Sequence, residues 1–147
     1  EFSSQWFNEY VSSKRVEPVI CWMRNDLAKV DFRLSAKDFL RSERGLSRAL
    51  NLLHDYGLVL LDGVQGEFAV ETLTERIGTI RWTFYGKSWD VKSVEKAINI
   101  AYTSQPLGLH MDLLYFEAPP GLQYLHCLEN SVTGGASYFV DAFAAAE

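Results

Sequence analysis

After residue 105 the chain is punctuated by Pro106, Gly108, Pro119, Pro120, Gly121 and the Gly134-Gly135 pair. Proline inside a helix removes a backbone hydrogen bond and clashes with the preceding turn, and glycine weakens helix and strand alike. No long helix fits between these breaks. What remains is short extended pieces joined by tight turns: residues 122–128 read as one strand, Gly134-Gly135 as a turn, and 136–140 as the partner strand. Three or more short strands in about 40 residues suggest half of a β-sandwich or barrel.

The first half has another character. Trp6, Phe7, Tyr10 and Val11 are spaced as on a short amphipathic helix within residues 3–12. Alternation over 30–34 predicts a strand, with Ser35 as N-cap of a turn of helix at 36–40. Ser42 then precedes a helix over 43–56, whose apolar stripe is Leu46, Ala49, Leu50, Leu53 and Tyr56 and whose end is Gly57. The apolar run 58–61 reads as a buried strand, and 68–77 as a helix stopping at Gly78. This half is α/β in flavour, and the whole is α+β, mainly β.

Composition narrows the function. The 147 residues are 48% hydrophobic and 22% charged, enough apolar content for a core and too little charge for a disordered chain. With 14 basic and 19 acidic residues the net charge is -5, which argues against a nucleic-acid backbone as main partner. No apolar run approaches the 18 or so residues of a membrane span, and the amino-terminal residues lack the pattern of a signal peptide. Cys21 and Cys127 are far apart and in no CxxC motif, so two buried thiols in a reducing cytoplasm are expected.

The pattern with most chemical content is His110-Met111-Asp112. On an extended strand residues i and i+2 share a face, so an imidazole and a carboxylate can approach one ion. That is two-thirds of the 2-His-1-carboxylate triad, which leaves positions on a non-haem Fe(II) open. A surface histidine beside a turn aspartate is the plain alternative. His54, on a helix, and His126, in an apolar strand, have Tyr56 and Leu128 two positions on and so lack the acid. His54 reads as ordinary and His126 as a hydrogen-bonded core histidine.

Context adds to the pair. The stretches Leu107-Gly108-Leu109-His110-Met111-Asp112-Leu113, Pro120-Gly121-Leu122-Gln123-Tyr124-Leu125-His126-Cys127, Thr133-Gly134-Gly135-Ala136-Ser137 and Val140-Asp141-Ala142-Phe143 follow in order. Together they resemble the Fe(II)- and 2-oxoglutarate-dependent dioxygenases of the gamma-butyrobetaine dioxygenase group, related to taurine dioxygenase. The likeness runs from about Asp31 to the C-terminus and is densest from Thr83 to Phe143. It implies a double-stranded β-helix (jelly-roll) with flanking helices. Residues 1–147 would be the N-terminal part of one dioxygenase catalytic domain, with 1–30 as a lead-in.

The resemblance also implies roles. His110 and Asp112 would be two iron ligands; the third, a distal His, and the Arg for the far carboxylate of 2-oxoglutarate would lie outside this chain. Asn99 and Leu125 match positions lining the 2-oxoglutarate site, and Leu125 reads equally as plain core. Tyr85, Trp89 and Tyr102 match an aromatic cage for a trimethylammonium head, though Tyr85 and Trp89, four apart, would also simply fill a core. A quaternary ammonium donates no hydrogen bonds, so π-faces are its natural partner, at roughly 0.5–2 kcal/mol each.

The implied cofactor is Fe(II), with 2-oxoglutarate and O₂ as co-substrates and room for ascorbate. The implied partner is a small cationic molecule rather than nucleic acid or membrane. Homodimerisation of the full-length protein stays open, and the expected location is cytoplasmic, or mitochondrial after loss of a transit peptide. The leading expectation is hydroxylation of gamma-butyrobetaine to L-carnitine. Trimethyllysine dioxygenase, a taurine dioxygenase-like enzyme and a non-catalytic cation-binding module on the same fold are the alternatives. The run Ala144-Ala145-Ala146-Glu147 has no helix stop, so a fragment is expected, inactive and poorly soluble alone.

Overall fold

The computed structural model describes residues 20–66, 69–131 and 133–146. The helix expected over 3–12 lies outside them, as does most of the lead-in. A 3-10 turn at Asp26–Lys29 leads to strand β1 (Arg33–Ser35), helix α1 (Ala36–Arg41), helix α2 (Glu43–Tyr56), strand β2 (Leu60–Asp62) and helix α3 (Ala69–Ile77). A 3-10 turn at Ile100–Tyr102 and the short helix α4 (Ala142–Ala146) follow.

Strands β1 and β2 pair in parallel, Arg33 opposite Leu60, Leu34 opposite Leu61 and Ser35 opposite Asp62. Parallel strands need a crossover, and α1 and α2 supply it. On the exposed face of the pair, diagonally across the register, the Arg33 guanidinium meets Asp62 at 2.6 Å. Leu34, Ala36, Phe39, Ala49 and Leu73 form the buried centre, with Leu40, Leu61, Val64, Ile77 and Tyr124 packed against it.

The α1–α2 corner shows how closely these helices meet. Ser42 caps α2 as expected, its Oγ accepting the Gly45 N–H at 3.1 Å. A Cβ on Gly45 would stand 2.3 Å from the Asp38 carbonyl oxygen, so only glycine lets α2 approach the end of α1. Gly57 ends α2 in the left-handed region at φ 72°, and its N–H donates to the Leu53 carbonyl.

Several expectations are corrected. On α2, Leu50 is exposed, and Gly45, Ala49 and Leu52 are the buried residues, so the buried face is rotated from the predicted stripe. It turns to meet α1 rather than to bury the largest side chains. The strand predicted over 58–61 is Leu60–Asp62, with Leu61 half-buried and Leu60 and Asp62 exposed, because among the described residues it has a single neighbour.

Residues 122–128 and 136–140 are in no ladder. An extended segment becomes a strand only when a neighbour takes up its N–H and C=O groups, and none does so among the described residues. The described part is therefore helices around a two-stranded parallel sheet, not the mainly β barrel half expected.

Cys21 and Cys127 are both exposed, not buried as expected. Cys127 sits on the extended surface segment after Gly121, outside the core. No helix among the described residues is long and apolar enough to cross a membrane.

Candidate metal centre

His110 and Met111 are in no strand, and Asp112 opens a turn in which Leu113 adopts φ 57°. That is the left-handed region, uncommon for a branched side chain. The strand that was to set the two side chains on one face is thus absent. They meet nevertheless: His110 Nε2 lies 3.3 Å from Asp112 Oδ1. Two cis ligands about 2.1 Å from one ion stand about 3.0 Å apart, so the spacing suits a shared ion.

Outer contacts hold both groups. His110 Nδ1 lies 2.8 Å from the Gly108 carbonyl oxygen. A carbonyl only accepts, so Nδ1 carries the proton and donates it, which leaves the Nε2 lone pair for the Asp112 side. Gln123 Nε2 donates to Asp112 Oδ2, so the two carboxylate oxygens have different partners. Both side chains of the pair are about half exposed, at 48% and 44%, open enough for a ligand to enter. Among the described residues no third His, Cys, Asp or Glu joins them.

Next to the pair runs a row of rings. Tyr85 and Trp89 stack at 5.0 Å between centroids and 28° between planes. Phe84 lies 4.2 Å from Tyr85 and 6.0 Å from Phe116, and Arg81 stands 5.6 Å over Phe116. The turn carrying Tyr85 is closed by Thr83 and Gly86, each donating its N–H to the other's carbonyl, with Gly86 at φ 105°. The Tyr115 phenol is held above its ordinary pKa, first by desolvation, then by its hydrogen bond with Tyr85 and the Asp112 charge. Tyr115 therefore links the ring row to the candidate ligands.

The other predicted site residues are placed separately. Tyr102 is half-buried in the 3-10 turn, and its carbonyl accepts from Val94 N–H at 2.9 Å. Its ring meets neither Tyr85 nor Trp89 among the described residues, and the facing surfaces of those two rings are spent on each other. Asn99 uses Oδ1 to cap the turn through Ala101 N–H at 2.9 Å, which leaves its NH₂ group to donate. Leu125 is 74% exposed along a groove beside β2, so it is not plain core. His126 lines the same groove half-buried, outside the core, because its segment lies over the sheet edge. His54 pairs with Asp55 at 2.9 Å on the surface of α2.

Gln123 and Tyr115 went unremarked in the sequence. A tyrosine three positions after an acid carries no periodic signal. The reach of Gln123 to Asp112, eleven positions away, depends on how the intervening loop turns.

A family model described as "Taurine catabolism dioxygenase TauD, TfdA family" matches residues 23–147. The chain belongs to that family. It is 43% identical over 136 residues to dioxygenase str8 of Strobilurus tenacellus, covering 88% of this chain and 32% of the relative. Gamma-butyrobetaine dioxygenase of Homo sapiens is 40% identical over 113 residues, 75% of this chain and 29% of the relative. Trimethyllysine dioxygenase of Mus musculus is 35% identical over 148 residues, 95% and 34% respectively. The chain thus spans about a third of the length of the curated relatives it matches. No solved structure matches it. TauD-family membership implies a jelly-roll dioxygenase fold, of which the described residues are a helical and parallel-stranded part.

Proposed function

We propose that this chain is part of an Fe(II)- and 2-oxoglutarate-dependent dioxygenase that hydroxylates a small trimethylammonium substrate, gamma-butyrobetaine first among candidates. What carries the reading is the 3.3 Å approach of His110 Nε2 to Asp112 Oδ1 in a TauD-family chain. An imidazole with its other nitrogen tied to a carbonyl, beside a carboxylate, is a donor set suited to Fe(II). When bound, iron would supply the activation of O₂ for C–H hydroxylation, with 2-oxoglutarate as co-substrate.

The chain's own residues do the positioning. His110 and Asp112 offer one nitrogen and one oxygen to the same point, and two ligands from this segment leave the other sides for co-substrate and substrate. The Asn99 NH₂ group has a proton to give to a carboxylate oxygen of 2-oxoglutarate, and Leu125 offers an apolar wall. The outer faces of Tyr85 and Trp89 would receive the trimethylammonium head, while Tyr102 stands apart from both rings in this chain.

A second substrate reading has its own support. The trimethyllysine dioxygenases align over more of this chain, 95% against 75%, although at lower identity than the gamma-butyrobetaine enzyme. Both substrates carry the same cationic head, so the aromatic residues do not separate them. Succinate release by the protein at the length of its relatives, measured with gamma-butyrobetaine, trimethyllysine and taurine, decides. Turnover of the first supports the leading reading, and turnover of none removes it. Asp112→Ala is expected to abolish Fe(II) binding and 2-oxoglutarate consumption together; wild-type rates in that variant would take Asp112 out of the site.

A further inference from the structure

We propose that Gln123 is a positioning residue that makes Asp112 a one-oxygen ligand. This rests on the metal-site reading above. A free carboxylate can bind an ion through one oxygen or both, and the choice decides how many sides of the ion stay open. In this chain the choice is made by hydrogen bonding. Gln123 Nε2 donates to Asp112 Oδ2, while Oδ1 is the oxygen that faces His110 Nε2 at 3.3 Å. A carboxylate anchored through Oδ2 is fixed in rotation and presents only Oδ1. The same arrangement governs its neighbour, where the Gly108 carbonyl accepts from His110 Nδ1 and aims Nε2.

Gln123 suits this task better than the acidic or basic residues of similar reach. Its NH₂ group gives the proton the carboxylate needs without a charge that would compete with the ion or repel it. It belongs to the segment that also carries Leu125, so the same stretch that orients the metal ligand lines the groove beside β2. Loop 113–122, which begins with the left-handed Leu113, brings that segment back to the pair.

The test uses Gln123→Met, which keeps the length and removes the donor, and the same-segment control Leu122→Ala, at an exposed position. Mn(II) affinity is measured by calorimetry, and the visible bands of the Co(II)-loaded protein are recorded. Loss of an outer hydrogen bond to a ligand costs about 10- to 100-fold in metal affinity. Gln123→Met should therefore bind Mn(II) at least about 10-fold more weakly and alter the Co(II) bands, and Leu122→Ala should do neither. If Gln123→Met matches wild type in both readouts while Asp112→Ala loses the ion, the role given to Gln123 is wrong and the metal site stands. If wild type and Asp112→Ala bind alike, the metal-site reading itself fails.

Discussion

Asp112 and Trp89 are side chains whose surroundings, not their identity, set what they can do. Asp112 divides its oxygens between an imidazole and an amide. Trp89 gives one face to Tyr85 and is 39% exposed, so an outer face remains for a cation. If that face receives the trimethylammonium head, Trp89→Leu removes roughly 0.5–2 kcal/mol of attraction. The KM for the cationic substrate should then rise about 2- to 30-fold. An analogue with a tert-butyl group in place of the ammonium should show no such change. Equal losses for both would mean that Trp89 contributes packing alone.

At the level of elements, the contact between α1 and α2 is the tightest joint in the described chain. Gly45→Ala gains helix propensity of about 1 kcal/mol but drives a methyl into the Asp38 carbonyl, 2.3 Å away. Overpacking of this kind costs about 1–3 kcal/mol, so the variant should unfold at lower urea concentration than wild type, whereas the exposed Ser47→Ala should not. Ser42→Ala removes the only side-chain acceptor at the start of α2 among the described residues and should cost about 1 kcal/mol by the same measurement. An unchanged midpoint would show that another group caps that end. The link from α3 back to α2, Arg76 to Glu43 at 2.5 Å, is largely solvent-exposed on the Glu43 side and adds little to this joint.

For the molecule as a whole, Asp141 ties the last described helix to the first described residues. Its carboxylate accepts from Trp22 N–H at 2.8 Å, and from Phe143 and Ala144 N–H at the start of α4. These bonds, the one from Trp22 first, hold its pKa below the ordinary carboxylate value. A carboxylate depressed in the folded state stabilises the fold in full above about pH 4 and loses that contribution as pH falls through its folded pKa. Asp141→Asn should therefore be less stable than wild type at neutral pH, with the gap closing below about pH 4. A gap that stays constant down to pH 2 would mean that the charge plays no part. Trp82, Leu125, Leu128 and Tyr138 are each more than 70% exposed.

The helices were legible because their signals are local. Ser42, the 3.6-residue spacing after it and Gly57 lie within a few turns, and hydrogen bonds of that range form wherever the chain goes. The His110–Asp112 pair was legible for a similar reason, two residues being near each other in almost any conformation. Strands at 122–128 and 136–140 were not, since a ladder belongs to two segments and alternation in one says nothing of its neighbour. Nor was the rotation of α2 that exposes Leu50, which depends on what α1 presents to it. The amide of Gln123 on Asp112, the bond from Trp22 to Asp141 and the separation of Tyr102 from Tyr85 and Trp89 are matters of distance across folded loops. No spacing along the chain encodes them, because only the folded backbone converts sequence separation into proximity.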